Sequence, residues 1–580
     1  MSAAQTLTSD ATGSKVLLST ITALAVASFA LMVPLDAHSQ TVGDTAKSSE
    51  SASDSAASPP STPHFVPIPD RWNGIKPPPY ELNVKGHWYD PYNQNKLKGD
   101  YPIFGQNTFL VLTAVAQNIV EGVRAPTPSG ISVVRPKSPE FFGQDENFIN
   151  NETVRFTVEL YHGDAAFRPR DWEIKITPAL NLNYVNSREN TNVNINVRKG
   201  DNRADEHLAF EDLSFEKHLF NLNRNYDFVS LRAGIQKFSS DFRGFIFTDH
   251  NLGARLFGNA GSNKYQYNLA YFNMLEKETN SELNTIFDDR KQDVYIANLY
   301  KQDFLTLGYT TELSLHYNRD YASVHFDENG IPVRPAVLGN VRPHEVKSIY
   351  LGWAGDGHLG RMNISHAFYQ VLGTDDFNSL AGQELDINAQ MAALELSVDK
   401  DWMRFKTSVF YASGDSDPMD ETGRGFDAII DQQFFAGGPF SYWNLVGLRL
   451  LGVGLTHKLS ILPSMRSNKF EGQSNFVNPG LLLLNIGHDA ELTPELKTVI
   501  NINYLSFAQT EPLQNFLNQP NIGNEIGLDY SLGVIYRPFL NNNAQFTASA
   551  AALTPYTGFI DIYDTKKTQF ALAASLTLTY

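Results

Sequence analysis

The feature that most constrains this chain is an alternation of apolar and polar residues that recurs from about residue 106 onward. It is clear in TVRFTVELY (153–161), LTLGYTTELSLHY (305–317) and IGLDYSLGVIY (526–536), where every second residue is apolar except Thr311. A period of two is that of a β-strand with one apolar face. The final run, QFALAASLTLTY (569–580), shows it too. An exposed strand of this kind needs a partner strand or a hydrocarbon solvent, and a barrel in a membrane supplies both.

About eighteen such runs can be counted, and the connections between them alternate in length. They begin near residues 106, 151, 171, 205, 226, 250, 263, 292, 304, 345, 358, 385, 402, 478, 495, 524, 544 and 567. Short connections such as 302–303 and 400–401 alternate with longer ones around residues 133, 190, 242, 282, 330, 378, 440, 516 and 560. Outer-membrane barrels have short periplasmic turns, long external loops and an even number of strands. We therefore predict an all-β fold, a transmembrane antiparallel β-barrel of about 18 strands over residues 106–580, with both ends of the barrel chain in the periplasm.

One connection, residues 414–477, is too long to be a plain loop. It contains the apolar stretch FFAGGPFSYWNLVGLRLLGVGLTHKL (434–459), which needs cover from water. Long structured loops are usually functional. We predict an external loop that folds inward and constricts the barrel. The alternative is one extra hairpin here, which would give about twenty strands.

The N-terminal residues have the pattern of an export signal. An apolar run (16–33) follows Lys15 and leads to Ala37-His38-Ser39, which predicts a signal peptide over residues 1–39. The alternative is an N-terminal membrane anchor. Residues 40–63 are rich in Ser, Ala and Thr, which predicts a disordered periplasmic linker. Residues 64–105 contain more aromatic side chains, and we expect a periplasmic segment that plugs the barrel or docks a partner.

Composition excludes several classes of protein. Cys is absent, so neither a disulfide framework nor a Cys-based metal site can form. A formal net charge of −17 argues against nucleic acid as a partner. The sequence has no Gly-x-Ser-x-Gly elbow, no His-Glu-x-x-His and no Gly-rich phosphate loop followed by Lys. We expect no enzymatic activity, cofactor or bound metal; a hydrolase with its catalytic residues on strand rims is the less favoured alternative.

Alternation along the strands also assigns charged residues to the inner face. The predicted pore-lining and solute-binding residues are Arg155, Arg232, Arg255, Arg404, Lys406 and Glu312. Inward cations would concentrate anionic solutes. The alternative is that these cations pair with facing carboxylates and stiffen the wall, and both can hold at once. The aromatic residues Phe242, Phe245 and Phe247 are expected near the external rim, in the interfacial girdle.

Three stretches resemble segments of large porin-like outer-membrane proteins: DPYNQNKLKGDYPIFGQ (90–106), SDFRGFIFTDHNLGARLFG (240–258) and YASGDSDPMDETGRGFDAI (411–429). The last is similar to the Ala-Ser-Gly-Asp strand end and following Phe-Asp of the alginate-export family. That resemblance implies an eighteen-stranded barrel that passes an anionic polysaccharide. The family's pore is expected to carry many cations, whereas the inward faces here are mixed.

A barrel of this size normally leaves an aqueous channel. We therefore expect a porin-like channel in the outer membrane of a Gram-negative bacterium, in contact with its lipid, that passes hydrophilic solutes, anions and oligosaccharides among them. The alternative is a barrel that sheathes a multi-protein conduit, for polysaccharide export or for a cytochrome, with its periplasmic partner docked through residues 64–105.

Overall fold

The computed structural model describes residues 95–128, 141–163, 168–225, 227–540 and 542–580. The predicted signal peptide (1–39), the predicted linker (40–63) and residues 64–94 lie outside the described residues. Within the described residues, eighteen long strands form the barrel. They are Thr108–Arg124 (β1), Glu146–His162 (β2), Trp172–Asn186 (β3), Asn202–Asn221 (β4), Phe228–Ser239 (β5), Thr248–Ala260 (β6), Tyr265–Lys277 (β7), Asn284–Lys301 (β8), Tyr309–Asp320 (β9), Val346–Leu359 (β10), Met362–Asn378 (β11), Gln383–Lys400 (β12), Met403–Ala412 (β13), Leu481–Glu491 (β14), Leu496–Ser506 (β15), Glu525–Tyr536 (β16), Ala544–Pro555 (β17) and Gln569–Thr579 (β18).

Each strand pairs antiparallel with its neighbours in the sequence, and β1 pairs with both β2 and β18. The sheet is therefore closed, and none of the eighteen strands has a free edge. The twenty-strand alternative is wrong. Two short strands in the long connection, Leu448–Arg449 and Gly454–Thr456, pair with each other, and Gly454 also bridges to Arg466 in the same connection. Thr422–Gly423 attaches parallel to β12. They add nothing to the barrel wall.

The outer surface of the barrel is apolar, as the period-two pattern requires. Outward side chains that remain exposed include Leu180, Leu269, Leu299, Leu313, Leu351, Ile486, Ile502 and Leu572. Soluble proteins rarely expose a contiguous apolar surface of this extent. A closed barrel with an apolar exterior band matches the architecture of proteins that cross an outer membrane by strands.

The two ends of the barrel differ in the length of their connections. One end, here called the turn end, has short links such as 360–361 and 401–402. The other, called the loop end, carries the longer connections, among them 321–345, 413–480 and 507–524. At the turn end, residues 95–104 lie along β1, where the Leu112 N–H donates to the Leu97 carbonyl at 2.7 Å.

Helices are short in the described residues. They are Tyr442–Leu445 (α1), Glu511–Leu517 (α2) and Thr557–Tyr563 (α3), together with 3-10 turns at Val197–Lys199 and Gly438–Phe440. Among the described residues, none of the helices has the length and hydropathy of a membrane-spanning helix. All three α-helices lie in connections at the loop end.

Candidate functional site

The connection 413–480, which we call the inner segment, crosses the interior of the barrel. Its Tyr442 hydroxyl donates to the Arg124 carbonyl of β1 at 2.8 Å, and its Asp427 carbonyl accepts from the Tyr350 hydroxyl of β10 at 3.0 Å. In a circuit of eighteen strands, β1 and β10 are on opposite sides. Most side chains of the inner segment are buried. The predicted inward fold of residues 414–477 is therefore what the structure shows.

The start of α1 is fixed to the wall by a buried carboxylate. Asp529, on the inner face of β16, accepts from the backbone N–H groups of Tyr442 at 3.2 Å and Trp443 at 3.1 Å. These N–H groups have no partner within the helix because they belong to its first turn. Beside them, a Cβ atom placed on Gly533 would lie 2.6 Å from the Phe440 ring, so the wall and the segment are in direct contact.

A second connection, residues 240–247, also turns into the barrel, and we call it the inner loop. The Asp241 carboxylate accepts from the backbone N–H groups of Gly244 at 2.6 Å and Phe245 at 2.9 Å, which holds the loop in a tight turn. The inner loop then pairs with the inner segment. Gln432 N–H donates to the Gly244 carbonyl at 2.8 Å. The two connections therefore form one constricting element.

The girdle predicted for the aromatic residues of the inner loop is wrong for two of them. Phe245 and Phe247 are buried in the central hydrophobic cluster, and Phe245 stacks on Phe410 with ring centroids 5.9 Å apart. Phe242 is partly exposed. The loop turns inward because Asp241 satisfies its backbone and the inner segment covers its apolar side chains.

Three buried arginines hold the inner segment near its C-terminal end, and the sequence analysis did not identify them. The Gly472 carbonyl accepts from Arg290 at 2.8 Å and from Arg466 at 2.7 Å, and the Glu471 carbonyl accepts from Arg334 at 3.0 Å. Burial raises the pKa of Asp427 to about 7, although the Arg466 guanidinium lies 3.7 Å away. Arg290 and Arg334 lie far from the segment in sequence, so no local spacing pattern indicated these contacts.

The predicted pore-lining cations divide into paired and unpaired groups. Arg232 and Arg255 lie directly opposite each other on β5 and β6. Arg232 donates to Glu216 at 2.8 Å, whereas Arg255 lies over the Phe257 ring at 4.4 Å and has no ion pair in the described part of the chain. Arg155, on the inner face of β2, forms neither a hydrogen bond nor an ion pair with any described residue.

The other predicted residues are engaged with the wall. Arg404 pairs with Asp399 close to the turn end, and Lys406 pairs with Asp489 at 2.7 Å. Glu312 points inward from β9, but it is fully buried and accepts from the Asn298 side chain at 2.6 Å. The alternative of facing ion pairs therefore describes Arg232, Arg404 and Lys406. Within the described ranges, no carboxylate contacts Arg155 or Arg255.

At the loop end, the inner segment leaves a cavity of roughly 350 Å³ against the wall formed by β1 to β4. The loops 278–283 and 321–345 complete its lining. Ligand-sized cavities in proteins begin at about this volume. The interior of the barrel is thus narrowed by the chain's own residues.

No protein-family model matches this sequence, and a search of the curated proteins finds no relative. Among solved structures, the fold is similar to OccD3 of Pseudomonas aeruginosa (11% identity, TM-score 0.42, 81% of this chain and 91% of that one). It is also similar to OccAB4 of Acinetobacter baumannii (10%, 0.43, 82% and 99%) and to a BenF-like porin of Pseudomonas fluorescens Pf-5 (10%, 0.41, 81% and 98%).

Proposed function

We propose that this protein is a porin-like channel in the outer membrane of a Gram-negative bacterium, which passes small hydrophilic solutes, anions among them. The observation that carries the proposal is the contrast between the two faces of one closed barrel. Its exterior is apolar and exposed, while its interior carries ionised side chains and a constricting element made by the chain itself. Selectivity then follows from radius, lining charge and hydrogen-bonding groups.

In this proposal the unpaired cations bias the solutes that pass. Arg155 and Arg255 each place a guanidinium inside the barrel, where no carboxylate of the described residues contacts it, so each adds positive potential to the lumen. Arg232, Arg404 and Lys406 are neutralised by their partners, and Glu312 is covered, so these four act mainly on the rigidity of the wall. The inner segment and the inner loop set the radius.

The conduit alternative is less well supported. A sheath must leave room for a partner or a polymer along the whole lumen. Here the inner segment already reaches from β1 to β10. The likeness of residues 411–429 to the alginate-export family stays a prediction, as does docking of a periplasmic partner through residues 64–105.

Liposome swelling tests the channel. Liposomes that contain the refolded full-length protein should swell in isotonic solutions of a monosaccharide and more slowly in a trisaccharide, because the constriction discriminates by size. Liposomes with heat-denatured protein are the control. A correctly folded barrel that permits no swelling with either sugar would refute a diffusion channel.

A further inference from the structure

The outer face of β2 carries two polar side chains within an apolar row. Alternation along the strand places five side chains on this face: Phe148, Asn150, Glu152, Val154 and Phe156. The rings of Phe148 and Phe156 are exposed on the barrel exterior. Asn150 and Glu152 lie between these two rings, and therefore within the apolar band that faces lipid.

The neighbours of Glu152 in the chain support this orientation. Asn151 and Thr153 both accept from the side-chain amide of Asn181 on β3, at 2.6 and 2.8 Å. Asn181 is fully buried on the lumen side of the wall. Because successive side chains of a strand point to opposite faces, Glu152 points outward.

β1 adds a third polar side chain to this region. Asn118 lies directly opposite Glu152 in the register of β1 and β2, and its side-chain amide donates to Asn150 Oδ1 at 3.1 Å. On its other side, Asn118 lies opposite Leu576 of β18. Leu572, which is closer to the loop end on the same outer face of β18, is exposed. The three polar side chains, here called the outer polar patch, therefore have apolar surface around them.

The outer polar patch contains an acceptor and donors that lack partners. The carboxylate of Glu152 has no hydrogen bond or ion pair with any residue that the structure describes, and the residue is only 8% exposed, so water compensates it little. The bond between Asn118 and Asn150 uses one amide N–H, and the other N–H groups of these two side chains have no acceptor among the described residues. Lipid chains offer neither donors nor acceptors, so such groups are costly in a bilayer.

Small side chains flank the outer polar patch on one side. Pairs that lie directly opposite each other share a face, which places on the exterior a group of alanines from β1, β17 and β18: Ala114, Ala116, Ala548, Ala550, Ala552 and Ala574. In membranes, small side chains let two backbones approach closely, and polar side chains then bond across the contact. This part of the exterior has both properties, which favours contact with another protein surface over contact with lipid chains.

We propose that two copies of this protein associate through the outer polar patch, across a two-fold axis along the membrane normal. The Glu152 carboxylate of each copy then accepts from the Asn118 and Asn150 amides of the other copy. Two copies inserted in the same direction hold the patch at the same depth. Since one patch carries both acceptor and donors, it is complementary to itself, as a two-fold contact requires.

Sedimentation equilibrium of the refolded full-length protein in density-matched detergent micelles tests the proposal. The unmodified protein should sediment as a dimer, and E152L should dimerise roughly tenfold more weakly because the carboxylate is lost. E152Q keeps the size and one acceptor oxygen, so it should lose less than E152L. An unmodified protein that is monomeric or trimeric, or an E152L variant that dimerises as tightly as the unmodified protein, would overturn the two-fold contact.

A matched control removes an outward polar side chain from the opposite side of the barrel. Gln370 of β11 lies between the exposed Phe368 and Leu372, but it bonds to Asn388 at 2.9 Å and to Gln390 at 3.1 Å within its own chain. Q370L should therefore dimerise like the unmodified protein. Equal weakening by Q370L and E152L would show that association does not depend on the outer polar patch.

Cross-linking in bacterial outer-membrane vesicles tests the same contact without removing any member of the outer polar patch. The chain has no Cys, so a single introduced thiol reports on one position. A116C, two residues from Asn118 on the same face, should form a covalent dimer on oxidation. L351C, on the outer face of β10 across the barrel, should not. A covalent dimer with L351C alone, with both variants equally or with neither would overturn the proposal, whereas the conductance of the unmodified protein still decides the channel separately.

Discussion

Replacing Asp529 with alanine should release the α1 end of the inner segment. The carboxylate accepts two backbone hydrogen bonds, from Tyr442 and Trp443 at 3.2 and 3.1 Å, in a site without solvent access. A hydrogen bond to a charged group contributes about 1.5–3 kcal/mol. Alanine also removes the desolvation penalty of the carboxylate, which offsets part of the loss. We expect a net weakening of the closed arrangement by about 3 kcal/mol, which is roughly a hundredfold in its equilibrium constant.

Single-channel recording measures this effect. D529A should show larger or more frequently fluctuating conductance than the unmodified protein, because α1 leaves the wall for part of the time. D529N is the matched control; its amide oxygen keeps an acceptor of the same shape, so its conductance should be intermediate. If D529A folds as a barrel and conducts like the unmodified protein, Asp529 does not hold the constriction.

Three further predictions concern charge, pH and the lipid face. R155Q should lower the anion-to-cation permeability ratio about twofold, whereas the double variant D399N/R404Q, which leaves the net charge unchanged, should not alter this ratio. Reversal potentials recorded under a salt gradient measure the ratio for each variant. Burial alone would lower the pKa of His344, but the hydrogen bond to Asp375 at 2.6 Å raises this pKa above 6.5. The pair therefore stabilises the folded loop fully below pH 6.5. This stabilisation is lost as the pH rises through the raised pKa of His344. In urea unfolding at pH 6, the free energy of unfolding of the unmodified protein should exceed that of H344Q by about 1–2 kcal/mol. This difference should shrink at alkaline pH. A difference that grows with pH would contradict the assignment. I486R, at a side chain that is 71% exposed on β14, should destabilise the bilayer-inserted barrel by about 2–4 kcal/mol; an unfolding free energy equal to that of the unmodified protein would show that this face does not meet lipid.

The strands were predictable from the sequence because, along each one, apolar side chains that face outward alternate with side chains that face the lumen. β17 begins at residue 544, as predicted, and most other starts fall within a few residues. The largest errors have local causes. β8 begins at Asn284 instead of 292, because Phe287 and Lys291 adopt positive φ angles of 66° and 57° and interrupt the alternation. A β-bulge interrupts the alternation of apolar and polar residues, so the pattern of period two does not predict the start of such a strand.

The constriction was only partly predictable. Apolar content and length placed the inner segment inside the barrel, but they did not reveal what holds it there. Its anchors, Asp529, Arg290 and Arg334, come from distant strands and loops and obey no spacing rule. The inner loop was misread for a related reason. An exposed aromatic girdle and a buried aromatic turn have the same local composition, and contacts with residues 429–434 decide between them.

The measurement that tests the central claim most directly is the conductance of single molecules of the refolded full-length protein in a planar bilayer under a salt gradient. The account predicts stepwise openings with a reversal potential that favours anions, because Arg155 and Arg255 face the lumen and form no ion pair with the residues that the structure describes. A protein that inserts as a folded barrel and passes no current would contradict the account and make the inner segment a permanent plug.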